Sequence, residues 1–541
     1  MRLLRAGLLV VLLAALVAGG CAPSALNRLD GSDDVVRRPT LGASRPPATP
    51  PRPQTPSPDQ STPDVPSACP AGDGGGGSSK IAYDDPQAQP VAMPARQRVP
   101  VRRAAPWRQR PVVRLCFDVP ADRRTVRGTE TVVFTPDRRT CDVIFRAWPN
   151  KPETAREGTR LVVTHAAVSG KLVKPTVEAA GAPRGVPGTL IKVPVDGCVA
   201  PGRSVQIDLA FTLTLAVDSE ERVGFSTGDR TTWLATAFPL LAWERGRGWA
   251  TDPAVDLFGE MATSEEFRLD ALDVVVPRGD VVLGTGRRVS SRAGPRPGTV
   301  IHRFRADSVR DVAVAVGGFR MTEREVDGVR IHIGVPRGVP LRAPVDIWAD
   351  QIVDAVRELS GYLGPFPYDD LWVAIVPDIP TGIEFPGAIQ FGNVDVRRYP
   401  QLVPHEVAHM WFYGLVGNNQ ARDPWLDEAF AEYAEVLANG TVSESLRFRV
   451  PPPVRNRVGQ TMQWYAELGQ PDFYGAGVYR QGGAMLHRAR RAVGPATFDR
   501  LLRDYIDANA HQIATDDDVV QAFRSEPRVI EILRRHGALV P

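Results

Sequence analysis

The prolines of this chain are clustered, and the clustering decides which parts can fold. Ten of the 50 prolines among the 541 residues fall between Pro46 and Pro70. Proline lacks a backbone donor and breaks helices and central strands, so this stretch can join neither. Four glycines follow at residues 74–77, and apolar periodicity is nearly absent from residue 22 to about residue 100. We predict a disordered tether over residues 22–105, semi-rigid where it is rich in proline and flexible at the glycines.

A short export signal precedes the tether. Arg2 and Arg5 stand before an apolar run over residues 6–18, and small residues then lead to Cys21. The run is too short to span a membrane comfortably. Its end, A-G-G-C, resembles a bacterial lipobox, which implies cleavage before Cys21 and lipidation of its thiol. We therefore predict a lipoprotein signal peptide over residues 1–21 and a chain anchored to the outer face of the bacterial cell membrane. The alternative is plain secretion after cleavage nearby.

Composition limits the class of protein. The length suggests two or three domains, and the 43% of hydrophobic residues is normal for a globular chain. The 65 basic and 62 acidic side chains nearly cancel, which leaves a net charge of +3. Nucleic-acid-binding modules are usually far more basic, so no nucleic-acid partner is expected.

Four cysteines follow Cys21, namely Cys69, Cys116, Cys141 and Cys198. An even number in an exported chain permits two disulfides, in any of three pairings. Because Cys69 lies in the tether, a disulfide from it would pin the tether to the folded body.

The rest of the chain divides into two predicted folded regions. Residues 106–335 hold short apolar or alternating segments separated by Pro, Gly and Asp, a pattern typical of an all-β domain. Residues 336–541 begin with apolar positions that recur every three or four residues from Val345 to Leu363, which predicts a helix. We then predict strands over 371–376 and 383–391, followed by helices over 400–415, 424–438, 478–493, 496–508 and 516–524. The second region is thus α+β and mostly helical towards its C-terminus.

The stretch H-E-V-A-H at residues 405–409 is the first sign of a metal-binding, catalytic site. Positions i and i+4 share one face of a helix, so His405 and His409 can bind the same metal ion. Glu406, one position on from His405, is near enough to reach a water on that ion. H-E-x-x-H on a helix is the signature of zinc metallopeptidases.

A catalytic zinc needs a third protein ligand from another element. Asp423 is a good N-cap residue and Pro424 a good first helical residue, so a second helix is predicted to begin there. Glu428 would then lie in its second turn. Eighteen residues separate it from His409, which leaves room for a turn and an antiparallel return.

These residues together resemble a known family. H-E-x-x-H followed after eighteen residues by the glutamate of W-L-x-E-x-F-A is the pattern of gluzincin peptidases of the membrane alanyl aminopeptidase and leukotriene hydrolase type. The resemblance implies one zinc ion on His405, His409 and Glu428, with Glu406 as the general base. It also implies a multidomain fold, with a saddle-like all-β domain followed by a thermolysin-like α+β catalytic domain. The large C-terminal helical domain of many relatives is expected to be absent, and we expect a monomer.

Two further stretches are similar to family elements. Gly382 and Glu384, in T-G-I-E-F-P-G, occupy the place of the substrate-edge strand, whose glutamate binds a substrate α-ammonium in the family. Tyr479, in Y-R-Q-G-G-A, matches the tyrosine that donates a hydrogen bond to the oxyanion, and Tyr474 is a nearby alternative. The family's second amine anchor comes from the β domain, but the candidate stretch Thr231–Pro239 holds no acidic residue.

The predicted function is zinc-dependent hydrolysis of peptides, and aminopeptidase action if Glu384 holds the free amine. One alternative is an endo- or oligopeptidase that uses the same zinc site, with Glu384 as a spectator. The other is a catalytically silent cell-surface binding lipoprotein with a degenerate peptidase fold. The expected partners are peptide substrates and, through Cys21, a membrane.

Overall fold

The computed structural model describes Cys69 and residues 103–539. Cys21, the export signal and nearly all of the predicted tether lie outside the described residues. No helix among the described residues is both long and apolar enough to cross a membrane.

The first half of the described chain is built almost entirely from strands. It contains one short α-helix, α1 (Pro152–Glu157). In chain order the strands are β1 (Val112–Asp118), β2 (Thr125–Phe134), β3 (Thr140–Arg146), β4 (Arg160–Val168), β5 (Lys171–Leu172), β6 (Thr176–Glu178), β7 (Leu190–Val199), β8 (Val205–Thr214), β9 (Val223–Phe225), β10 (Thr232–Ala235), β11 (Leu240–Leu241), β12 (Trp243–Glu244), β13 (Gly248–Trp249), β14 (Phe267–Pro277), β15 (Val281–Gly284), β16 (Arg287–Ala293), β17 (Thr299–Val309) and β18 (Ala313–Gly317).

Eight of these strands form the largest sheet, in the order β16-β17-β14-β1-β2-β8-β4-β5. Strand β2 alternates between buried and half-buried side chains along most of its length, as a strand with one face on a core must. Two four-stranded sheets, β15-β18-β10-β9 and β11-β3-β7-β6, contribute to the same continuous hydrophobic core. The predicted all-β region is confirmed.

Two disulfides fix this half. Cys141 pairs with Cys198, and Cys69 pairs with Cys116 on β1. Cys69 and Cys116 are buried together with Val275. The predicted tether is therefore pinned at Cys69, within its length, to the large sheet.

The second half combines a five-stranded sheet with helices. The strands are β19 (Phe319–Val326), β20 (Val329–Pro336), β21 (Asp370–Ile375), β22 (Gly382–Phe385) and β23 (Ala388–Phe391). The helices are α2 (Val345–Leu363), α3 (Leu402–Ala408), α4 (Trp425–Ala438), α5 (Val442–Ser445), α6 (Met462–Glu467), α7 (Asp472–Tyr474), α8 (Gln481–Val493), α9 (Pro495–Asn509), α10 (Asp516–Ala522) and α11 (Pro527–Arg535).

The sheet of the second half reaches back across residue 336. Its order is β19-β20-β21-β23-β22, with β20, β21 and β23 parallel to one another and a hairpin at each edge. Strands β19 and β20 precede residue 336 but pair with the strands that follow it. Strand β22 lies at the opposite edge of the sheet.

Three local predictions for this half are wrong. The single strand predicted over residues 383–391 is the hairpin of β22 and β23, because Gly387 turns the chain with a φ of 68°. The helix predicted over 400–415 ends at Ala408, and turns carry the chain onward to a left-handed residue, Tyr413. The second helix has Pro424 at its N-cap and no capping side chain, so Asp423 does not cap it and Glu428 lies in the first turn.

The two halves are joined by buried polar contacts. The guanidinium of Arg310, just after β17, donates to the backbone carbonyls of Ser264, Gly414 and Gln512 at 3.0, 3.3 and 3.3 Å. Tyr413, which follows the H-E-V-A-H stretch, donates its hydroxyl to buried Asp311 at 3.0 Å. The β-rich half thus holds the loop that follows α3.

Candidate metal centre and substrate cleft

Helix α3 presents its two histidines on one face. Pro404 lies in its first turn, where the missing backbone donor leaves no intrahelical bond unmade. The Nε2 atoms of His405 and His409 lie 3.3 Å apart, with both rings buried. The predicted spacing has brought the two imidazoles to a common point.

Helix α4 adds a carboxylate at the same point. Glu428 Oε2 lies 3.4 Å from Nε2 of His405 and 3.4 Å from Nε2 of His409. A tetrahedral zinc about 2.0–2.1 Å from each donor would hold the three donors roughly 3.3–3.4 Å apart. The observed spacings match that value, so the three side chains fit one zinc ion.

The electrostatics of this set also favour a cation. Burial lowers the tendency of His409 to be charged, yet the adjacent Glu428 raises its pKa to about 9. Burial likewise opposes a charged Glu428, but the two histidines hold its pKa below the ordinary carboxyl value. Positive charge between these side chains is therefore stabilised.

Polar groups lie behind both histidine rings. His409 Nδ1 lies 3.3 Å from the carbonyl oxygen of Phe412, and His405 Nδ1 lies 3.9 Å from Glu435 Oε2. Glu435 and Glu432 share a side-chain hydrogen bond, and burial raises the pKa of both carboxyls. A hydrogen bond at Nδ1, such as that of His409, fixes ring orientation and ligand basicity. Glu435 was not predicted as a site residue from the sequence, although it lies seven residues after Glu428, on the same face of α4.

The carboxylate of Glu406 lies against strand β22. A Cβ atom added to Gly382 would lie 2.5 Å from Glu406 Cγ and 2.6 Å from its Oε1, closer than any real contact. Burial raises the pKa of Glu406 well above its ordinary value, and the nearby Glu384 raises it further. Glycine at position 382 thus lets the edge strand approach the predicted general base.

Tyr479 lies in a π-helical turn, Gly475–Arg480, that leads into α8. Its ring stacks on that of His405, with centroids 5.7 Å apart and planes 13° apart. Its hydroxyl donates a hydrogen bond to Glu428. Tyr474 packs edge-on against Tyr479, with centroids 5.5 Å apart. Single π-turns of this kind recur at functional sites, and this one aims Tyr479 at the donor set.

Two glycines allow α8 to approach α4. A Cβ at Gly482 would lie 2.4 Å from Cβ of Ala429, and one at Gly483 would lie 2.6 Å from Cγ of Glu432. Side chains at either position would push the two helices apart. The G-G pair of Y-R-Q-G-G-A therefore sets how near Tyr479 comes to Glu428.

Glu384 projects from the edge strand β22 towards the same centre. Only 3% of the residue is exposed, and its Oε1 has no hydrogen-bond partner among the described residues. Single carboxylate oxygens of Glu384, Glu428 and Glu260 all lie within 4.8 Å of one another. The structure thus brings His405, His409, Glu428, Glu406, Tyr479, Gly382 and Glu384 to one cleft.

Glu260 is the acidic residue of this cleft that sequence reasoning missed. It belongs to the β-rich half and accepts a hydrogen bond from Nη2 of Arg222 at 2.7 Å. Its segment, residues 250–266, has neither helix nor strand and no motif spacing. Nothing in the sequence separates Glu260 from its acidic neighbours Glu265 and Glu266.

The comparisons with known proteins agree with this geometry. Residues 390–535, which carry the donor set and Tyr479, match the Peptidase family M1 domain. These residues belong to peptidase family M1. The predicted gluzincin relationship of the chain is thereby confirmed.

Curated relatives match parts of this chain. Aminopeptidase N of Lactococcus lactis subsp. lactis is 27% identical over 136 residues, which are 23% of this chain and 16% of that protein. Aminopeptidase M1 of Arabidopsis thaliana is 24% identical over 247 residues, which are 40% of this chain and 27% of that protein. The matched stretches thus span less than a third of either relative.

Solved structures match over a larger share. The M1 zinc metallopeptidase from Deinococcus radiodurans superposes with a TM-score of 0.58 at 18% identity, covering 80% of this chain and 96% of that one. A variant of the same protein has been solved with a Tyr-Ser-Ala substrate. The likeness confirms the predicted fold, in which an α+β region follows a β-rich half.

Proposed function

We propose that this protein is a zinc-dependent aminopeptidase that removes N-terminal residues from peptides. The observation that carries the proposal is the position of Glu384, a buried carboxylate with an unpartnered oxygen, on an edge strand beside the three-donor set. A substrate ammonium would supply the missing partner, since a cation stabilises a carboxylate that burial otherwise penalises.

Each of these side chains has its own role in amide hydrolysis. Zinc on His405, His409 and Glu428 supplies Lewis-acid activation when it is bound. Glu406 takes a proton from the attacking water and returns it to the leaving amine. Its raised pKa suits a group that must both accept and donate a proton. Tyr479 donates its hydroxyl hydrogen bond to the oxyanion of the tetrahedral intermediate.

The edge strand supports a peptide as the substrate. Strand β22 pairs with β23 on one side only, so its other side offers backbone groups to an extended peptide. A peptide paired there would place its free amine near Glu384 and its first amide near Glu406. The short distance between Gly382 and Glu406 keeps that amide close to the base.

The amine requirement gives the decisive experiment. We expect the zinc-loaded protein to cleave free-amine fluorogenic peptides at least ten times faster than their N-acetylated forms. Equal rates would favour the endo- or oligopeptidase alternative, in which Glu384 is a spectator. The variant Glu406→Gln should retain zinc and lose turnover; full turnover by it would exclude the mechanism. A protein that binds zinc and cleaves no peptide of a mixed panel would be the silent binding lipoprotein.

We also propose that the protein acts outside the cytoplasm, held to the membrane by lipid on Cys21. The support is the export signal and the small residues before Cys21. Mass spectrometry of the mature N-terminus should find acyl chains on Cys21, and Cys21→Ala should release the protein from the membrane fraction. An unmodified N-terminus beyond Cys21 would indicate plain secretion.

A further inference from the structure

Two buried residues with a left-handed backbone meet at one carboxylate of the β-rich half. Tyr413 has a φ of 86° and Thr236 a φ of 50°, which are outlying values for a bulky and a β-branched residue. Both side chains are buried. Their hydroxyls donate to the same atom, Oδ2 of Asp311, at 3.0 and 2.6 Å. Backbone strain of this kind persists only where the surrounding contacts hold it, and it clusters at functional sites.

The carboxylate of Asp311 is itself fixed in place. Its other oxygen accepts a hydrogen bond from the Val312 amide at 2.7 Å. Thr236 directly follows β10, which pairs with β18, and its amide donates to the Val312 carbonyl at 3.1 Å. Burial raises the pKa of Asp311 to about 6, and the three hydrogen bonds to its oxygens oppose that rise. The β-rich half therefore presents a fully buried, rigid acceptor to Tyr413.

Tyr413 occupies the turn that follows the predicted zinc-binding helix. The amides of residues 414–416 donate to the carbonyls of residues 409–411 at 2.9–3.0 Å, so the chain folds back on the end of α3. Within this turn the Phe412 carbonyl lies 3.3 Å from Nδ1 of His409. That carbonyl belongs to the peptide unit joined to the Tyr413 Cα. The φ angle of Tyr413 therefore fixes the direction of the carbonyl relative to the rest of the turn.

We propose that Tyr413 is a positioning residue for the zinc ligand His409. Its hydrogen bond to Asp311 holds the left-handed turn, and the turn holds the Phe412 carbonyl at Nδ1 of His409. A hydrogen bond at Nδ1 fixes the tautomer and the direction of a metal-binding imidazole. This role rests on the zinc site of the proposed function and not on its aminopeptidase action. The β-rich half thereby contributes to metal binding without supplying a ligand.

The zinc affinity of the folded protein tests this role. Chelator-treated protein is titrated with zinc in competition with a fluorescent chelator. Tyr413→Phe keeps the ring and removes the hydroxyl, and we expect it to raise the zinc Kd about tenfold, since partners behind metal-binding histidines typically contribute about 10- to 100-fold in affinity. The visible absorption spectrum of the Co²⁺-loaded variant should also differ from that of the wild type, because it reports ligand geometry. A merely structural role would lower Tm and leave Kd and spectrum unchanged.

Tyr465→Phe is the matched control. The buried Tyr465 hydroxyl also makes one hydrogen bond, to the Arg457 carbonyl at 2.6 Å, but its helix α6 carries none of the three zinc donors. This variant should lower Tm and keep the wild-type zinc Kd. Weaker zinc binding in it would overturn the proposal, because the loss of any core hydrogen bond would then have the same effect.

Tyr413→Gly separates the side chain from the backbone, because glycine adopts a φ of 86° without strain. We expect zinc to bind this variant as weakly as it binds Tyr413→Phe. Wild-type affinity in Tyr413→Gly would show that the turn needs no side chain to hold it, and would overturn the role of the tyrosine.

Asp311→Ala approaches the same hydrogen bond from the β-rich half. It should weaken zinc binding as much as Tyr413→Phe, and the double variant should be no weaker than either single one. Additive losses would show that the two residues act independently and would overturn the hydrogen bond as their link. The isosteric Tyr413→Phe carries the test by itself if Asp311→Ala does not fold.

The outcomes separate this role from the function on which it rests. A wild-type protein that binds no zinc would overturn the zinc site and with it the proposed function. Wild-type Kd and an unchanged Co²⁺ spectrum in Tyr413→Phe would overturn only the role of Tyr413.

Discussion

Gly382 lies so close to Glu406 that no side chain fits between them: a Cβ at position 382 would be 2.6 Å from the Glu406 Oε1. The edge strand that would bind substrate and the predicted general base are therefore in direct contact. The position of one cannot change without moving the other.

The variant Gly382→Ala should consequently displace Glu406. We expect kcat to fall about 10- to 100-fold, since small misplacements of a catalytic group carry losses of that order. Zinc content should stay at the wild-type level because no metal ligand is moved. Gly361→Ala, in the last turn of α2 with open space around it, is the matched control and should leave kcat unchanged. Normal kcat in Gly382→Ala would show that Glu406 is free to move.

Tyr479 and Tyr474 should differ in their contribution to turnover. Tyr479→Phe removes the hydroxyl that reaches Glu428, and we expect kcat to fall about 10²- to 10³-fold with little change in KM. Tyr474→Phe should lower kcat less than about tenfold, because no hydrogen bond joins its hydroxyl to the donor set within the described part of the chain. Steady-state kinetics at equal zinc loading distinguishes them. A larger loss of kcat in Tyr474→Phe than in Tyr479→Phe would assign the oxyanion hydrogen bond to Tyr474.

Zinc binding should stabilise the protein through Glu428. A ligand bound only by the folded state, at a hundred times its dissociation constant, adds about 2.7 kcal/mol to the free energy of unfolding. Zinc added to the chelator-treated wild type should therefore raise Tm. Glu428→Gln should abolish most of that rise, whereas Glu531→Gln, on the surface of α11, should preserve it. Differential scanning calorimetry checks both, and an unchanged rise in Glu428→Gln would exclude it as a ligand.

Glu130 destabilises the large sheet in a pH-dependent way. It is 2% exposed, lies between Leu115 and Leu209 in register, and neither carboxylate oxygen finds a partner within the described chain. Burial raises its pKa well above 4.5, so the folded state keeps a proton that the unfolded state releases. Stability is therefore lost as the pH rises above about 4.5 towards the raised pKa.

We expect Glu130→Leu to raise the free energy of unfolding by about 1–3 kcal/mol at pH 8 and by less at pH 5. Denaturant titrations at the two pH values measure the difference. Glu130→Gln provides the comparison, because it removes the charge but keeps a buried polar group without a partner. A gain from Glu130→Leu that is equal at both pH values would mean that Glu130 does not titrate in this range.

The donor set was predictable because it depends on local periodicity and on one short connection. His405 and His409 follow from helical spacing, and Glu428 needs only an antiparallel return. The error at Asp423 moved the start of α4 by one residue and left the glutamate on the correct face. Tyr479 required the family resemblance, because a π-turn and two close-packed glycines have no periodic signature.

Glu260 could not be predicted, for a physical reason. It reaches the site through an irregular segment, in which Gly259 packs against Met462 and Tyr474. Glu260 itself pairs with Arg222. These partners are distant from the segment in sequence. The hairpin of β22 and β23 was missed in a different way. Buried residues on both sides of Gly387 read as one apolar run, and only the positive φ of that glycine divides it.

The five-stranded sheet has a consequence for how such a protein can be reshuffled during evolution. A recombination event with its crossover at residue 336 would separate β20 from β21. Strand β21 would then have unpaired backbone N–H and C=O groups along a new sheet edge. A crossover before Phe319 would carry β19 and β20 along and transfer the sheet intact. A segment of this chain that can be exchanged as a unit therefore begins at Gly317 and Gly318, just before β19. This point lies one β-hairpin ahead of α2.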